Sequence, residues 1–348
     1  MLVFYHKDND GYCSAAVCNC YLVNGYDMPS NEDFIPYTHG ETLDIAGLRD
    51  IREGERVYIL DLAMDDTIFE LMMHCLSAGA VVVHIDHHKS TKDYIDALPD
   101  VTKAALDRYA KSTKFIQLFE TALSACMLTF IYSSMNMDFT DPDSEQLHPM
   151  DVNFATTPDW TTIIINPGAN ERKIVIPLAV RYCDDYDVWR WFHKDTEAFN
   201  LGFEAVSYRA NPCSKEWAAL LNKERITVPP IVNAGYNIID YRNAQYKRIR
   251  EHGFEATICG VDCFVINTPY GDSKLFGDKI DEYPMCVMYR YSGKYNKYKL
   301  EFRSGDNGID VSEVAKQLGG GGHFHAAGCE IDNIDHVILH KEQVTFME

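Results

Sequence analysis

The chain has 348 residues, 46% of them hydrophobic, and this length and composition favour a globular protein of two domains. Its 32 Lys and Arg residues against 52 Asp and Glu residues give a net charge of −20. A surface this acidic repels a long phosphate backbone and argues against tight binding of duplex nucleic acid. It does not exclude a short phosphorylated substrate held by a few basic groups and metal ions.

The 11 cysteines are scattered along the chain, and Cys259 and Cys263 have no second pair to complete a zinc knuckle. They predict reduced thiols in a cytoplasmic compartment. The apolar run at residues 1–5 is too short for a signal peptide, and no stretch has the length of a transmembrane helix. We therefore expect a cytoplasmic protein without a membrane partner.

Short apolar runs at residues 2–5, 56–60 and 81–85 predict three strands. A helical pattern begins near Ser14 after the first run, and another covers 65–78 after the second. This alternation of strands and helices is typical of an α/β fold with a mostly parallel sheet.

Each predicted strand is followed by groups that bind metals or handle protons. These are Asp8 and Asp10 after the first strand, Asp61 after the second, and Asp86, His87 and His88 after the third. Parallel strands end at one edge of their sheet, so we expect these side chains to converge in one crevice. Taken alone, the last three residues are equally consistent with a strand that happens to end in polar groups.

Further along the chain, residues 99–134 predict helical structure. Residues 136–170 are rich in Asp, Pro, Thr and Asn and predict a long loop insertion. A helix predicted over 177–186 leads into the acidic and aromatic segment 183–189. That segment is either a helix end at the crevice or a solvated turn.

Pro229-Pro230 predicts a break after a first domain of residues 1–228, followed by a connecting helix over 229–253. The remaining residues, 254–348, predict a smaller α/β domain. Its short strands are predicted at 256–259, 263–267, 285–291 and 298–302, with a hairpin between the last two and a helix at 311–318.

Four consecutive glycines, Gly319 to Gly322, precede His323. Glycine costs backbone entropy, and the usual reason for such a run is close approach to a ligand. Its exposed N–H groups can form an anion-binding nest. With Arg303 and Ser304 at the end of a preceding strand, the run predicts a grip for phosphate or nucleotide. The alternative is a flexible linker, although the following Ala326-Ala327-Gly328 indicates close packing against another backbone.

The chain resembles the DHH phosphoesterase superfamily in the order and spacing of these elements, which are His6-Lys7-Asp8-Asn9-Asp10-Gly11, Asp61, Asp86-His87-His88 and Gly319 to Gly328. The last element resembles the DHH-associated domain of that family. The resemblance covers nearly the whole chain outside 136–170. It implies a catalytic DHH domain, a substrate-binding DHH-associated domain and an active site in the cleft between them.

The resemblance also implies a site for two divalent metal ions, for which Mn²⁺ is the expected ion. The implied ligands are His6, Asp8, Asp10, Asp61, His87 and Asp185, with Asp184 and Asp187 as rivals of Asp185. His88 is implied to face the substrate phosphate in catalysis, and Asp86 to orient a histidine. One departure concerns His6, which lies two residues before Asp8 where related enzymes place their first histidine four residues before the aspartate.

These features predict a metal-dependent phosphodiesterase or phosphatase that hydrolyses short oligonucleotides or linear or cyclic dinucleotides. The far end of the substrate would be held by Arg303, Ser304, Gly320, Gly321, Gly322 and His323. One alternative is an exonuclease of the RecJ type, for which only the segment 294–299 combines basic and aromatic residues. Another is a non-catalytic nucleotide-binding protein. The expected partner is a short nucleotide, and a homodimer is left open.

Overall fold

The computed structural model describes residues 1–22, 33–136, 154–165, 171–335 and 337–340. The chain divides into two compact units, Met1–Ile238 and Ile239–Glu348. The first contains a parallel sheet and the second a smaller α/β arrangement. The predicted α/β fold class is therefore confirmed.

Five strands form the parallel sheet within the described part of the first unit. They are β1 (Leu2–His6), β2 (Phe34–Tyr37), β3 (Arg56–Leu60), β4 (Val81–Asp86) and β5 (Phe115–Phe119). Their order is β2-β1-β3-β4-β5, and every neighbouring pair is parallel. The direction of winding thus reverses between β1 and β3, which is where open α/β sheets form ligand crevices.

The register of the sheet aligns the ends of three neighbouring strands. Tyr5 on β1 pairs with Leu60 on β3, and Leu60 pairs with Ile85 on β4. The residues that follow these positions therefore leave the sheet at the same level, as the sequence predicted.

Helices follow these strands along the chain in the first unit, and the last of the helices continues into the second unit. They are α1 (Asn9–Leu22), α2 (Asp66–Ser77), α3 (Lys89–Ala97), α4 (Asp100–Lys111), α5 (Ala125–Asn136), α6 (Leu178–Asp187), α7 (Thr196–Glu204), α8 (Lys215–Asn222) and α9 (Glu224–Arg250). Asp65 caps α2 by accepting the N–H of Ile68 at 2.8 Å. None of the described helices is long and apolar enough to cross a membrane.

Two strands of the parallel sheet, β5 and β2, were not predicted from the sequence. The helical prediction for 99–134 is wrong in its middle, because β5 separates α4 from α5. A five-residue apolar run has no periodicity that distinguishes a strand from a buried helical turn. In β2, Pro36 interrupts the apolar pattern from which a strand would be predicted. Proline is tolerated there because β2 lies at the edge of the sheet.

The loop predicted over 136–170 is also corrected where it is described. The strands β6 (Phe154–Thr156) and β7 (Thr162–Ile165) lie within it and, with β8 (Arg172–Val175), form an antiparallel sheet. The run of Thr and Ile in β7 is β-branched and favours a strand. The rest of the predicted loop, 137–153 and 166–170, falls outside the described residues.

The break predicted at Pro229-Pro230 is wrong, because α9 continues through both prolines. Packing opposes the break: Val228 and Ile231 are buried, and Gly202 on α7 and Gly235 on α9 let the two helix backbones touch. A Cβ on Gly235 would lie 1.6 Å from the carbonyl oxygen of Ala198. This close contact holds α9 in place despite the cost of interior prolines.

The second unit contains a mixed sheet. Its described strands are β9 (Phe254–Ile258), β10 (Val261–Asn267), β11 (Met285–Ser292), β12 (Lys297–Arg303), β13 (Gly321–His323), β14 (Ala326–Ile331) and β15 (Leu339–His340), and its short helices are α10 (Lys279–Glu282) and α11 (Val311–Gln317). The strands predicted from sequence and the β11–β12 hairpin are confirmed. All 11 cysteines lie in described residues and are free thiols.

Candidate metal centre

The carboxyl ends of β1, β3 and β4 bring together side chains that are far apart in sequence. The ligand atoms of His6, Asp8 and Asp61 all lie within 4.8 Å of one another. Those of Asp10, His87 and Asp187 form a second group at the same spacing. A third group of this kind joins Asp61 and His87 to His88. The convergence that the sequence predicted is therefore present.

Asp61 stands between the two histidines. Its Oδ2 lies 3.8 Å from Nδ1 of His6, and its Oδ1 lies 3.4 Å from Nε2 of His87. The two carboxylate oxygens thus face different groups of ligands, as a bridging carboxylate requires. The backbone φ of Asp61 is +57°, an uncommon conformation that aspartate tolerates better than most residues.

Asp8 is fixed by its own loop. Its Oδ2 is 2.6 Å from Nδ1 of His6, and its Oδ1 accepts the N–H of Gly11 at 2.9 Å. Burial opposes ionisation of this carboxyl, but the hydrogen bond and charge of His6 outweigh it and lower the pKa of Asp8 to about 2. His6 and Asp8 therefore both lie near Asp61, although only two positions, and not four, separate them in sequence.

Asp10 is held by the first turn of α5. Its two oxygens accept the N–H groups of Ala125 and Cys126, each at 2.8 Å. Free N–H groups at a helix N-terminus favour a negative charge, which explains a carboxylate buried at this position. With these two hydrogen bonds in place, Oδ2 of Asp10 lies 3.9 Å from Nε2 of His87.

A fourth acid, Asp187, lies in the cluster, whereas Asp185, the preferred candidate, has other partners. Asp187 places its Oδ2 3.2 Å from Nε2 of His87. Asp185 instead accepts the N–H groups of Phe192 and His193, and Thr196 donates its hydroxyl to the same carboxylate. The structure therefore places Asp187, one of the two rivals, in the cluster and gives Asp185 to the loop after α6.

The other rival, Asp184, is also engaged elsewhere. One of its oxygens accepts the N–H of Ser124 at 2.8 Å, and the other pairs with the guanidinium of Arg190. Burial outweighs these contacts and raises the pKa of Asp184 to about 6. Asp184 therefore ties α6 to the start of α5.

Asp86 is buried behind the cluster and contacts His88. Its Oδ1 is 2.7 Å from Nδ1 of His88, and Thr91 donates its hydroxyl to Oδ2. Burial opposes ionisation of Asp86, but His88 lowers its pKa to about 2, and the same hydrogen bond raises the pKa of His88. This geometry places Asp86 where it orients His88.

The cluster is electrostatically unfavourable without cations. Burial, followed by repulsion from Asp10 and Asp8, raises the pKa of Asp61 well above its usual value and that of Asp187 to about 9. Oδ2 of Asp61 and Oδ2 of Asp187 are buried without a hydrogen-bond partner among the described residues. Divalent cations would satisfy both oxygens, and mixed carboxylate and imidazole ligands suit ions such as Mn²⁺. The residues present therefore fit a metal centre.

One histidine at this edge was missed. His39 follows β2, its ring centroid lies 6.3 Å from that of His6, and its Nδ1 is 2.8 Å from Oδ2 of Asp65. Like Asp61 and His87, His39 is a polar residue that follows a strand, but β2 was not predicted from the sequence.

The predicted substrate-binding residues lie together in the second unit. Arg303 on β12 and His323 on β13 both pair with Ala326 on β14. Ser304 donates its N–H to the carbonyl of His325 at 3.2 Å, and its hydroxyl oxygen is 3.1 Å from Nδ1 of that residue. His323 is exposed beside them.

The glycine run has a structural role that the sequence analysis underestimated. A Cβ on Gly320 would lie 2.1 Å from the carbonyl oxygen of Gly328, and one on Gly322 would lie 2.5 Å from Cα of Ala327. Close packing against β14 therefore requires these two glycines. Gly321 faces open space and is free to approach a ligand.

Comparisons with known proteins bear on both units. The DHHA1 domain family matches residues 277–345. A stretch of 49 residues is 47% identical to the bifunctional oligoribonuclease and PAP phosphatase NrnA of Mycoplasma pneumoniae, and this stretch is 14% of each chain. The match thus spans about one seventh of that relative.

Two solved structures align with most of the chain. The DHH domain of a protein described as a member of a ribosomal protein family aligns with 96% of this chain and 83% of its own at a TM-score of 0.51 and 15% identity, which shows the fold. A pGpG-specific phosphodiesterase, PggH of Vibrio cholerae, aligns with 100% and 97% of the two chains at a TM-score of 0.44 and 11% identity. The fold of the chain thus resembles that of a DHH domain, and residues 277–345 match the DHHA1 domain family.

Proposed function

We propose that this protein is a metal-dependent phosphoesterase that hydrolyses short oligonucleotides or dinucleotides. The observation that carries the proposal is the position of Asp61, whose two buried oxygens face His6 on one side and His87 on the other. The short stretch shared with the NrnA oligoribonuclease and phosphatase, together with the DHHA1 match, supports a substrate of this class.

We assign His6, Asp8 and Asp61 to one metal ion, and Asp61, Asp10, His87 and Asp187 to a second. The four carboxylates of this set offset the charge of two divalent ions, which explains how so acidic a cluster is tolerated in a buried site. Bound ions of this kind supply Lewis acidity, which lowers the pKa of a coordinated water and neutralises charge on a phosphate.

His88 is the group that we assign to the phosphate of the substrate. The hydrogen bond to Asp86 fixes its ring orientation, and its ring centroid lies 4.5 Å from that of His87. A phosphate bound at the cluster would therefore meet an oriented imidazole. This arrangement requires no Ser or Cys nucleophile.

We assign Arg303, Ser304, Gly321 and His323 to the part of the substrate away from the scissile phosphate. These residues combine a guanidinium, a hydroxyl, an open glycine backbone and an exposed imidazole near one strand end. Such donors suit phosphate and sugar oxygens. The net charge of −20 favours short substrates over long ones.

The test is a substrate panel in Mn²⁺ that contains pAp, pApA, a cyclic dinucleotide, pyrophosphate and a 20-mer single strand. We expect the highest kcat/KM on pApA or pAp, and no turnover after chelation. A higher kcat/KM on the 20-mer would favour an exonuclease, and binding of pApA without turnover would favour a nucleotide-binding protein.

The second unit is tested separately by His323→Ala, with the exposed His252→Ala as a control. We expect His323→Ala to raise KM for pApA about tenfold and to change kcat much less, because it removes binding rather than chemistry. Equal KM values in the two variants would remove His323 from the substrate site.

A further inference from the structure

The loop that follows α6, the helix that ends at Asp187 of the cluster, presents aromatic side chains to solvent. Trp189 is 73% exposed and Phe192 is 53% exposed. Trp189 lies two residues after Asp187, which is part of the metal cluster. Two residues span at most about 7 Å, comparable to the reach of a nucleotide from its phosphate to its base.

The backbone of this loop is strained at its tryptophans. Trp189 has a φ of +54°, and so does Trp191. Trp189 directly follows the C-cap Val188 of α6, the position where glycine usually adopts this conformation. For a bulky side chain such a φ is a true outlier, and it is energetically unfavourable. A tryptophan at this position therefore needs a compensating role.

Burial in a core does not provide that role for Trp189. Its ring meets Trp191 edge to face, with centroids 5.5 Å apart and planes at 81°. An edge contact of this kind, together with the high exposure of the side chain, leaves apolar ring surface open to a ligand.

The loop is held firmly at several points. The carboxylate of Asp185 accepts the N–H groups of Phe192 and His193 at 2.8 and 3.0 Å. Its carbonyl oxygen accepts the N–H of Arg190 at 3.0 Å. A surface fixed in this way loses little entropy when a ligand binds.

Arg190 adds a second set of contacts. Its guanidinium lies over the ring of Trp160 at 3.9 Å, pairs with Asp184 and donates to the carbonyl oxygen of Ala122 at 2.8 Å. The arginine is thus committed to holding the loop, and the exposed rings of Trp189 and Phe192 are the accessible groups of the loop.

We propose that Trp189 is a stacking platform for a nucleobase of a substrate whose phosphate lies at the metal centre. Every base has an aromatic face, so stacking recognises a nucleotide without selecting its sequence. This inference rests on the proposed function, because it assumes that the cluster binds a nucleotide phosphate. It adds the side chain that distinguishes a nucleotide from other phosphate esters.

The test compares AMP with ribose 5-phosphate, which has the same phosphate and sugar but no base. Dissociation constants are measured by calorimetry with the full chain in Mn²⁺. We expect the unaltered protein to bind AMP more tightly. Trp189→Ala should weaken AMP binding about tenfold and ribose 5-phosphate binding much less, because only AMP loses a stacking partner.

Matched variants separate the effect of the aromatic ring on binding from the effect of the backbone conformation on stability. Trp189→Phe keeps an aromatic ring at the same φ and should retain most of the preference for AMP. Tyr241→Ala removes another exposed aromatic residue, on α9, and should leave both constants unchanged. Trp189→Gly removes the ring and relieves the strain, so its midpoint of thermal unfolding should rise while the preference for AMP is lost.

Several results would overturn the proposal. These are equal weakening of both ligands in Trp189→Ala, no binding of AMP by the unaltered protein, and a fall in unfolding midpoint for Trp189→Gly, which would make the ring part of the packed structure. A change of molar mass by light scattering in Trp189→Ala without a change in AMP binding would instead assign the loop to self-association. Binding is measured without turnover, so a failure to hydrolyse any nucleotide would count against the proposed function and not against the platform.

Discussion

Asp61 and His87 follow neighbouring strands, β3 and β4, and their Oδ1 and Nε2 atoms stand 3.4 Å apart. The other oxygen of Asp61 faces His6, which ends β1. Three adjacent strand ends are thereby connected through one buried carboxylate. This relationship follows from the aligned register of the sheet, and the proposed metal centre depends on it.

The first prediction concerns stability without metal. Asp61→Asn should raise the free energy of unfolding in EDTA by about 1–3 kcal/mol, because it removes a carboxyl group whose ionisation is opposed by burial and by neighbouring like charges. In Mn²⁺ the order should reverse, since only the unaltered protein gains the free energy of metal binding. Urea titrations in both buffers measure this. The exposed Asp93→Asn serves as the control, and a variant less stable in EDTA than that control would contradict the account.

The second prediction tests whether Asp187 or Asp185 is the metal ligand. Asp187→Asn should weaken Mn²⁺ binding strongly and leave stability in EDTA nearly unchanged or higher, because it removes a ligand with an unpaired oxygen. Asp185→Ala should cost about 1–3 kcal/mol of stability, because the N–H groups of Phe192 and His193 lose their acceptor. Metal titrations and urea unfolding of both variants decide the matter. The opposite pattern would restore Asp185 as the ligand.

The third prediction tests the support of His88. Thr91 donates to Asp86 and also accepts the N–H of Met64 at 2.7 Å, and it is fully buried. Thr91→Val should lower kcat on pApA about tenfold, because Asp86 loses one of the contacts that orient it. Thr91→Ser keeps the hydroxyl and should retain most of the rate. If both variants lose the same rate, the effect comes from packing and not from the hydrogen bond.

The fourth prediction distinguishes a structural role of Gly322 from a ligand-binding role of Gly321. Gly322 has a φ of +146° and no room for a Cβ, so Gly322→Ala should destabilise the β13–β14 hairpin by at least about 1 kcal/mol. Gly321 faces open space, so Gly321→Ala should preserve stability. We expect Gly321→Ala to raise KM for pApA, because the added methyl group would crowd the ligand that we assign to this backbone. An unchanged KM would leave the run with a structural role only.

The convergence of these side chains was predictable from sequence because of one simple rule. Parallel strands end at one edge, so Asp61 and His87 could be placed together from the ends of two apolar runs without any coordinates. The register of β1, β3 and β4 confirms that reasoning.

The choice between Asp185 and Asp187 could not be made in the same way. Both are acidic residues near the end of α6, and no local pattern shows which one faces Asp10. That outcome depends on the loop after the helix, whose N–H groups turn back to Asp185. Contacts of this kind are tertiary and leave little trace in composition or spacing.

Packing against neighbouring backbones explains the continuity of α9 and the need for two of the glycines before His323. The prolines of α9 favour a break locally, but the contact through Gly235 keeps the helix continuous. The glycines before His323 predict a ligand loop, and Gly320 and Gly322 are in addition needed for the approach of β14. In both cases a neighbouring backbone supplied the missing information.

The number of bound ions tests the central claim most directly. The unaltered protein, loaded with Mn²⁺ and desalted, should retain about two ions per chain by elemental analysis, as a bridged site predicts. Asp61→Asn should lose most of this metal together with hydrolysis of pApA, whereas Asp93→Asn should keep both. An unaltered protein that retains no metal, or an Asp61→Asn variant that binds and hydrolyses normally, would contradict the account.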